Sequence, residues 1–122
     1  MQIQAIHHVS LLVNDTQRAL SFYRDLLGLE QIERPPLTFP GAWLAIGDRQ
    51  LHLLELPNPD ADVDRPEHVG RDRHLALTVA GLDELERRLQ QAGIAMTRSK
   101  SGRNALFFRD PDGNGVELIA TD

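Results

Sequence analysis

The sequence predicts an α+β fold built from two tandem βαβββ modules, and three observations predict it. First, His8-Val9-Ser10-Leu11-Leu12-Val13 returns as His74-Leu75-Ala76-Leu77-Thr78-Val79, apolar position on apolar position, at an offset of 66 residues (74 less 8). Internal self-similarity of this kind marks a repeated supersecondary unit. Second, each copy is followed by a stretch of helical periodicity that ends at a glycine, Gly28 in one and Gly93 in the other. Third, three short strand-like runs separated by turn residues follow each helical stretch.

The first strand, His8 to Val13, leads into a helix expected from Thr16 to Leu27. Asn14 or Asp15 is its N-cap, because a short polar side chain can accept from the first unpaired N–H groups. Ala19, Phe22, Tyr23, Leu26 and Leu27 recur at spacings of three and four and form one buried stripe, with Arg18, Ser21, Arg24 and Asp25 on the other side. Strands are expected at Leu29–Arg34, Ala42–Ile46 and Gln50–Leu56, the last two joined by a Gly47-Asp48 turn. Pro57 to Glu67, rich in proline and acid, reads as a surface linker. The second helix is expected from Leu82 to Ala92, with Leu82, Leu85, Leu89 and Ala92 inward. Strands follow at Ala95–Lys100, Ala105–Arg109 and Gly115–Ala120. A chain of 122 residues is one domain by length. The modules cover about 3–57 and 71–121, with a linker over about 58–70.

Alternation along the strands divides the side chains by face. Val9, Leu11 and Val13 face the helix of their half, which leaves His8 on the opposite face; Leu75, Leu77 and Val79 leave His74 there too. In the last strand of each half, His52 alternates with Leu51 and Leu53, and Glu117 with Val116 and Leu118. His52 and Glu117 are again repeat-equivalent, 65 apart (117 less 52). Four side chains therefore occupy two pairs of equivalent positions, each facing away from its helix. If the two sheets face each other about a pseudo-twofold axis, the four converge. Imidazole nitrogen and carboxylate oxygen suit one divalent cation, Zn, Ni, Co, Mn or Fe, and a larger coordination shell leaves positions open for substrate oxygens.

Other candidates have plainer readings. His7 has the wrong parity, His68 lies in the acidic linker and is expected to be solvated, and Glu55 is expected to be a surface or interfacial carboxylate near a strand end. Asp60, Asp62, Asp64 and Glu67 lack the spacing of a calcium loop. Asp110-Pro111-Asp112-Gly113-Asn114-Gly115 lacks the Lys-Ser/Thr end of a phosphate loop and precedes a strand, so it reads as a tight turn aiming Glu117. Trp43, Phe39, Phe107 and Phe108 are core candidates before they are pocket residues. Arg34, Arg103 and Arg109 are strand-end cations expected to be solvated, with a substrate carboxylate as the alternative partner.

Composition narrows the classes further. The chain has no cysteine, so any transition metal must be held by histidine and carboxylate. A formal net charge of −5, with no basic stripe, argues against nucleic acid. The apolar runs are too short for a membrane helix. The Met1-Gln2-Ile3-Gln4 start lacks the basic and apolar regions of a signal peptide, so a cytoplasmic protein is expected.

These residues resemble the vicinal-oxygen-chelate superfamily, which includes glyoxalase I, extradiol dioxygenases and the fosfomycin and bleomycin resistance proteins. The resemblance spans essentially the whole chain. It is carried by Ile6 to Val13, by Ala19-Leu20-Ser21-Phe22-Tyr23-Arg24-Asp25-Leu26-Leu27-Gly28-Leu29, and by Asp110-Pro111-Asp112-Gly113-Asn114-Gly115-Val116-Glu117-Leu118. It implies a cup-shaped mixed sheet around a metal, with ligands from the first and last strand of each module: His8, His52, His74 and Glu117. It also implies a homodimer, whose site in many relatives combines one module from each subunit. A glutamate or glutamine is usual in glyoxalase I where His52 stands, which leaves Glu117 as the proton acceptor. Fosfomycin-modifying relatives usually carry tyrosine where Phe107 stands, and extradiol dioxygenases use two histidines and one glutamate.

The expected function is a metal-dependent enzyme acting on a small substrate that chelates through adjacent oxygens. A lyase or isomerase of the lactoylglutathione-lyase kind comes first, with Glu117 catalytic. The alternatives are a protein that sequesters a drug or metabolite without turnover, an extradiol-type dioxygenase, and a purely structural metal.

Overall fold

The computed structural model describes all residues from Met1 to Asp122. The chain divides into two compact units, Met1–Ala61 and Asp62–Asp122. The first contains β1 (His8–Val13), α1 (Thr16–Leu20), β2 (Glu30–Ile32), β3 (Gly41–Ile46) and β4 (Arg49–Glu55). The second contains β5 (His74–Val79), α2 (Leu82–Gln91), β6 (Thr97–Arg98), β7 (Ala105–Arg109) and β8 (Gly115–Ala120). Both units thus have the expected βαβββ order.

Each unit holds a four-stranded mixed sheet. The order is β1-β4-β3-β2 in the first and β5-β8-β7-β6 in the second. The first and last strand of each unit pair in parallel, and the remaining pairings are antiparallel. A parallel pair needs a crossover, and the helix lies within it. Parallel pairing is what puts the strands that carry the candidate residues side by side.

In the first unit the inward face carries Val13, Ala42, Leu44, Leu51 and Leu53, all buried, beneath Ala19, Leu20, Phe22 and Tyr23. Asp15 caps α1, its carboxylate accepting from the Gln17 and Arg18 N–H groups at 2.9 and 3.2 Å. Glu55 takes the interfacial of its two expected places: its Oε1 accepts from the Thr16 N–H and hydroxyl at 2.8 and 3.1 Å, which locks β4 to the start of α1. The regular helix is shorter than the sequence suggests. After Leu20 the chain opens into a wider turn over Ser21–Leu26, where the Leu27 N–H donates five residues back to the Phe22 carbonyl at 2.9 Å. Wider turns of this kind occur as single bulges in helices. The change of pitch breaks the 3.6-residue stripe, so Phe22 and Tyr23 are buried while Leu26 and Leu27 are only half-buried.

In the second unit Leu82, Leu85 and Leu89 of α2 are buried, but Ala92 is exposed because the helix has already ended. Leu106, Phe108, Val116 and Leu118 are among the buried residues of the sheet. β2 and β6 are shorter than the expected runs: the β2–β3 pairing covers only Glu30–Ile32, and the β6–β7 pairing only Thr97 and Arg98, with one further bond from the Ser99 N–H to the Ala105 carbonyl.

Candidate functional site

Register explains why the candidate side chains meet within each unit. His8 lies opposite Gln50 in the parallel β1–β4 pair and Ser10 lies opposite His52, so His8 and His52 are diagonal neighbours on one face. Their rings stack at 4.1 Å between centroids. On the other side of His52 stands its antiparallel partner Trp43, stacked at 4.0 Å and 3°. His52 is therefore held between an imidazole and an indole. The second unit repeats the arrangement: His74 is opposite Gly115 and Ala76 opposite Glu117, and Phe107 faces Glu117 from β7. His74 Nε2 lies 3.1 Å from Glu117 Oε1.

The His74–Glu117 contact has a specific chemical meaning. His74 Nδ1–H donates to the Asp72 carbonyl at 2.8 Å, which fixes one ring nitrogen as a donor. A neutral ring then turns the Nε2 lone pair toward a carboxylate oxygen that is also an acceptor. Something positive must lie between them, either a proton or a cation. An imidazole whose second nitrogen is tied to a backbone carbonyl is the usual preparation for a metal ligand. Glu117 is only 3% exposed, and its other oxygen accepts from Arg103 at 2.9 Å.

The first unit is prepared less completely. His7 Nδ1 lies 2.9 Å from His8 Nδ1, so the two nitrogens share a proton and His8 Nε2 is left uncommitted. His7 is thus no remote structural residue, since it fixes the His8 ring. His52 Nε2–H donates to Gln50 Oε1 at 2.8 Å. Burial, followed by the charges of His8, His7 and Arg34, holds the His52 imidazole below the ordinary histidine range. It is neutral near pH 7, the form that offers a lone pair.

Neither unit by itself gathers three ligating side chains. Each gathers a pair. The first pair offers two imidazoles and the second an imidazole, with one ring nitrogen already anchored, and a carboxylate, donor types that suit divalent cations of the zinc-to-iron series.

Several residues given plainer readings from sequence prove to support these pairs. His68 is only partly exposed rather than free in a linker: its ring packs edge-on against Phe107 at 5.0 Å, and its Nδ1 is buried without a partner. Phe107 also meets the His74 ring at 5.5 Å, so it sits between two imidazoles. Asp72 is the hub of the second unit. It accepts from Arg65 Nε and Arg109 Nη1, both at 2.9 Å, and its own carbonyl positions His74. Arg109 binds the Gly113 and Pro66 carbonyls as well, so it is committed to the framework. Asp110 accepts from the Asp112 and Asn114 N–H groups at 2.8 Å and closes the turn that precedes β8. A sequence signal existed for Trp43 and Phe107: each stands across a hairpin from a candidate ligand. None existed for Asp72 or His68.

Burial works to raise the Asp72 pKa, but hydrogen bonds from Arg109, Arg65 and the Arg73 N–H outweigh it and hold the carboxyl below its usual range. The stability this contributes is present above the ordinary carboxylate pKa and is lost as pH falls through the lower folded value. Asp72→Asn is expected to remove that acid-limb dependence, as urea titrations across a pH series will read. It is also expected to weaken metal binding about 10- to 100-fold by loosening the His74 carbonyl anchor. Unchanged metal affinity would show that the backbone alone holds His74.

Comparisons with known proteins follow the same lines. Residues 5–118 match the family described as the Glyoxalase/Bleomycin resistance protein/Dioxygenase superfamily. The chain is 30% identical over 128 residues to Glyoxylase I 4 of Arabidopsis thaliana, covering 100% of this chain and 74% of the relative. It is 34% identical over 119 residues to Glutathione transferase FosA of Serratia marcescens, covering 95% of this chain and 80% of the relative. Among solved structures it is similar to TnmS3, an antibiotic binding protein from Streptomyces sp. CB03234, with a TM-score of 0.76, 26% identity and coverage of 100% and 99%.

Proposed function

Because this chain belongs to the Glyoxalase/Bleomycin resistance protein/Dioxygenase superfamily, we propose that it is a divalent-metal-dependent enzyme acting on a small substrate with adjacent oxygens, as a lyase or isomerase of the lactoylglutathione-lyase kind. The observation that carries this reading is the His74–Glu117 pair, in which two acceptors face each other at 3.1 Å across a gap that requires positive charge. His8 and His52 of the first unit and His74 and Glu117 of the second are the ligand set. The working assembly is a homodimer. A divalent cation supplies Lewis acidity when bound, stabilising negative charge that develops on a substrate oxygen.

The chain's own residues do the rest. Glu117 Oε2, which now accepts from Arg103, is the oxygen positioned to take a proton from substrate and return it. His74 is kept in one tautomer by the Asp72 carbonyl, which aims its Nε2 lone pair at the Glu117 Oε1 side of the site. Trp43 and Phe107 put apolar surface beside the ligand pairs and limit water there.

The test is metal content per chain by elemental analysis, on wild type beside His74→Ala. Wild type is expected to hold about one equivalent, and the variant to lose it. The loaded protein is then assayed on the glutathione hemithioacetal of methylglyoxal. A wild type that stays metal-free after reconstitution overturns the reading. The likeness to an antibiotic binding protein favours a second one, in which a small molecule is held without conversion; bound ligand with no product would establish it.

A further inference from the structure

Three arginines were candidates to meet a substrate anion, and the structure separates them. Arg109 is spent on Asp72, Gly113 and Pro66. Arg34 is folded onto its own loop, with Nη2 donating to the Phe39 carbonyl at 2.6 Å and the guanidinium over the Phe39 ring at 5.1 Å. Arg103 differs from both. Its Nη2 donates to Glu117 Oε2 at 2.9 Å, while its side chain is 55% exposed.

The loop that carries Arg103 is anchored at its ends and open at its tip. The Ser99 N–H donates to the Ala105 carbonyl at 3.0 Å, and the Asn104 carbonyl accepts from the Ala120 N–H at 2.9 Å. Arg98 Nη1 donates to Asn104 Oδ1 at 2.8 Å, and the Ser99 and Ser101 hydroxyls meet at 2.8 Å. Gly102, at φ 88°, turns the chain just before Arg103. Only the long side chain needs to move.

We propose that Arg103 is the substrate-anion residue of this site, a proposal that rests on the metal reading above. In the metal-free protein it neutralises Glu117, a nearly buried carboxylate that would otherwise lack enough compensating charge. Once a divalent cation takes the Glu117 charge, the guanidinium loses its partner and even feels repulsion from the cation. Its planar fork then passes to a carboxylate or phosphonate group on the substrate, which it can grip through two parallel hydrogen bonds. The substrate class is thereby narrowed to small oxyanions that also offer adjacent oxygens. The exchange leaves Glu117 Oε2 free of the guanidinium, the condition its proton transfer requires.

Calorimetric titration of the whole protein with Ni²⁺, followed by oxalate on the loaded protein, tests this on wild type, Arg103→Gln and Arg103→Lys. Arg103→Gln is expected to bind Ni²⁺ as tightly as wild type or up to about tenfold more tightly, since no guanidinium competes for Glu117. Its oxalate affinity is expected to fall about 10- to 100-fold, with Arg103→Lys between the two. Nickel uptake with unchanged oxalate affinity in Arg103→Gln overturns this proposal alone, because the arginine is then only a surface ion pair. Failure of wild type to take up metal overturns the functional reading and this proposal with it.

Discussion

Glu117→Leu will abolish metal retention and leave the metal-free protein at least as stable as wild type, more stable by about 1 kcal/mol. Glu117 is a charge held at 3% exposure in β8, between Val116 and Leu118, which are themselves buried. Withdrawing a carboxylate from water costs several kcal/mol, and its partners offset that only in part. Those partners, His74 at 23% and Arg103 at 55% exposure, return to water when the carboxylate is removed, so no buried charge is orphaned. Metal affinity should fall by more than the roughly 100-fold that loss of a supporting group costs. Urea unfolding of the metal-free proteins, beside elemental analysis, reads both effects. A large loss of stability would mean that Glu117 belongs to the framework, and the idea that it is kept for function at a cost would fail.

Phe107→Ala will destabilise the protein by about 3–5 kcal/mol, a large share of the roughly 5–15 kcal/mol that holds a domain of this size together. Phe107 is 5% exposed and packs edge-on against His68 and His74. The same ring comes within 3.3 Å of where a Cβ on Gly70 would lie, so the short turn after His68 is moulded to it. Truncation leaves a void beneath both imidazoles, and the His74 ring loses the wall that keeps it beside Glu117. Phe107→Leu, which keeps most of the volume, should cost under about 1.5 kcal/mol and retain metal. Denaturant midpoints for the pair decide the matter: an alanine cost near that of leucine would remove Phe107 from its place as the packing centre.

Much of this arrangement was legible in the chain. The repeat of His8–Val13 in His74–Val79 gave the βαβββ order, because hydrophobic alternation is a property of sequence alone. Faces followed from parity, which is why His8, His52, His74 and Glu117 are all assigned from sequence to the faces away from the helices, while their grouping within each unit rests on the strand pairing. What parity does not contain is register. That His52 lies between His8 and Trp43 depends on how three strands align. The shift to a wider turn after Leu20 was hidden because the apolar spacing of Phe22, Tyr23, Leu26 and Leu27 fits a regular helix equally well. His68 was misplaced for a related reason: an acidic, proline-containing neighbourhood says nothing of the aromatic ring that later strands bring to it. The role of Asp72 rests on Arg65 and Arg109, 7 and 37 residues away.

The stacking of Trp43 on His52 has an optical consequence. The chain contains a single tryptophan, so its long-wavelength emission comes from one indole, and that indole lies flat against a candidate ligand at 4.0 Å. Imidazoles quench indole fluorescence by contact, and a shift in the tilt or charge of the His52 ring changes how strongly they do so. If the first pair takes the proposed cation, its occupancy is read in the brightness of the native protein, without label or engineered probe. The second pair, whose aromatic neighbour is a phenylalanine, stays dark at those wavelengths.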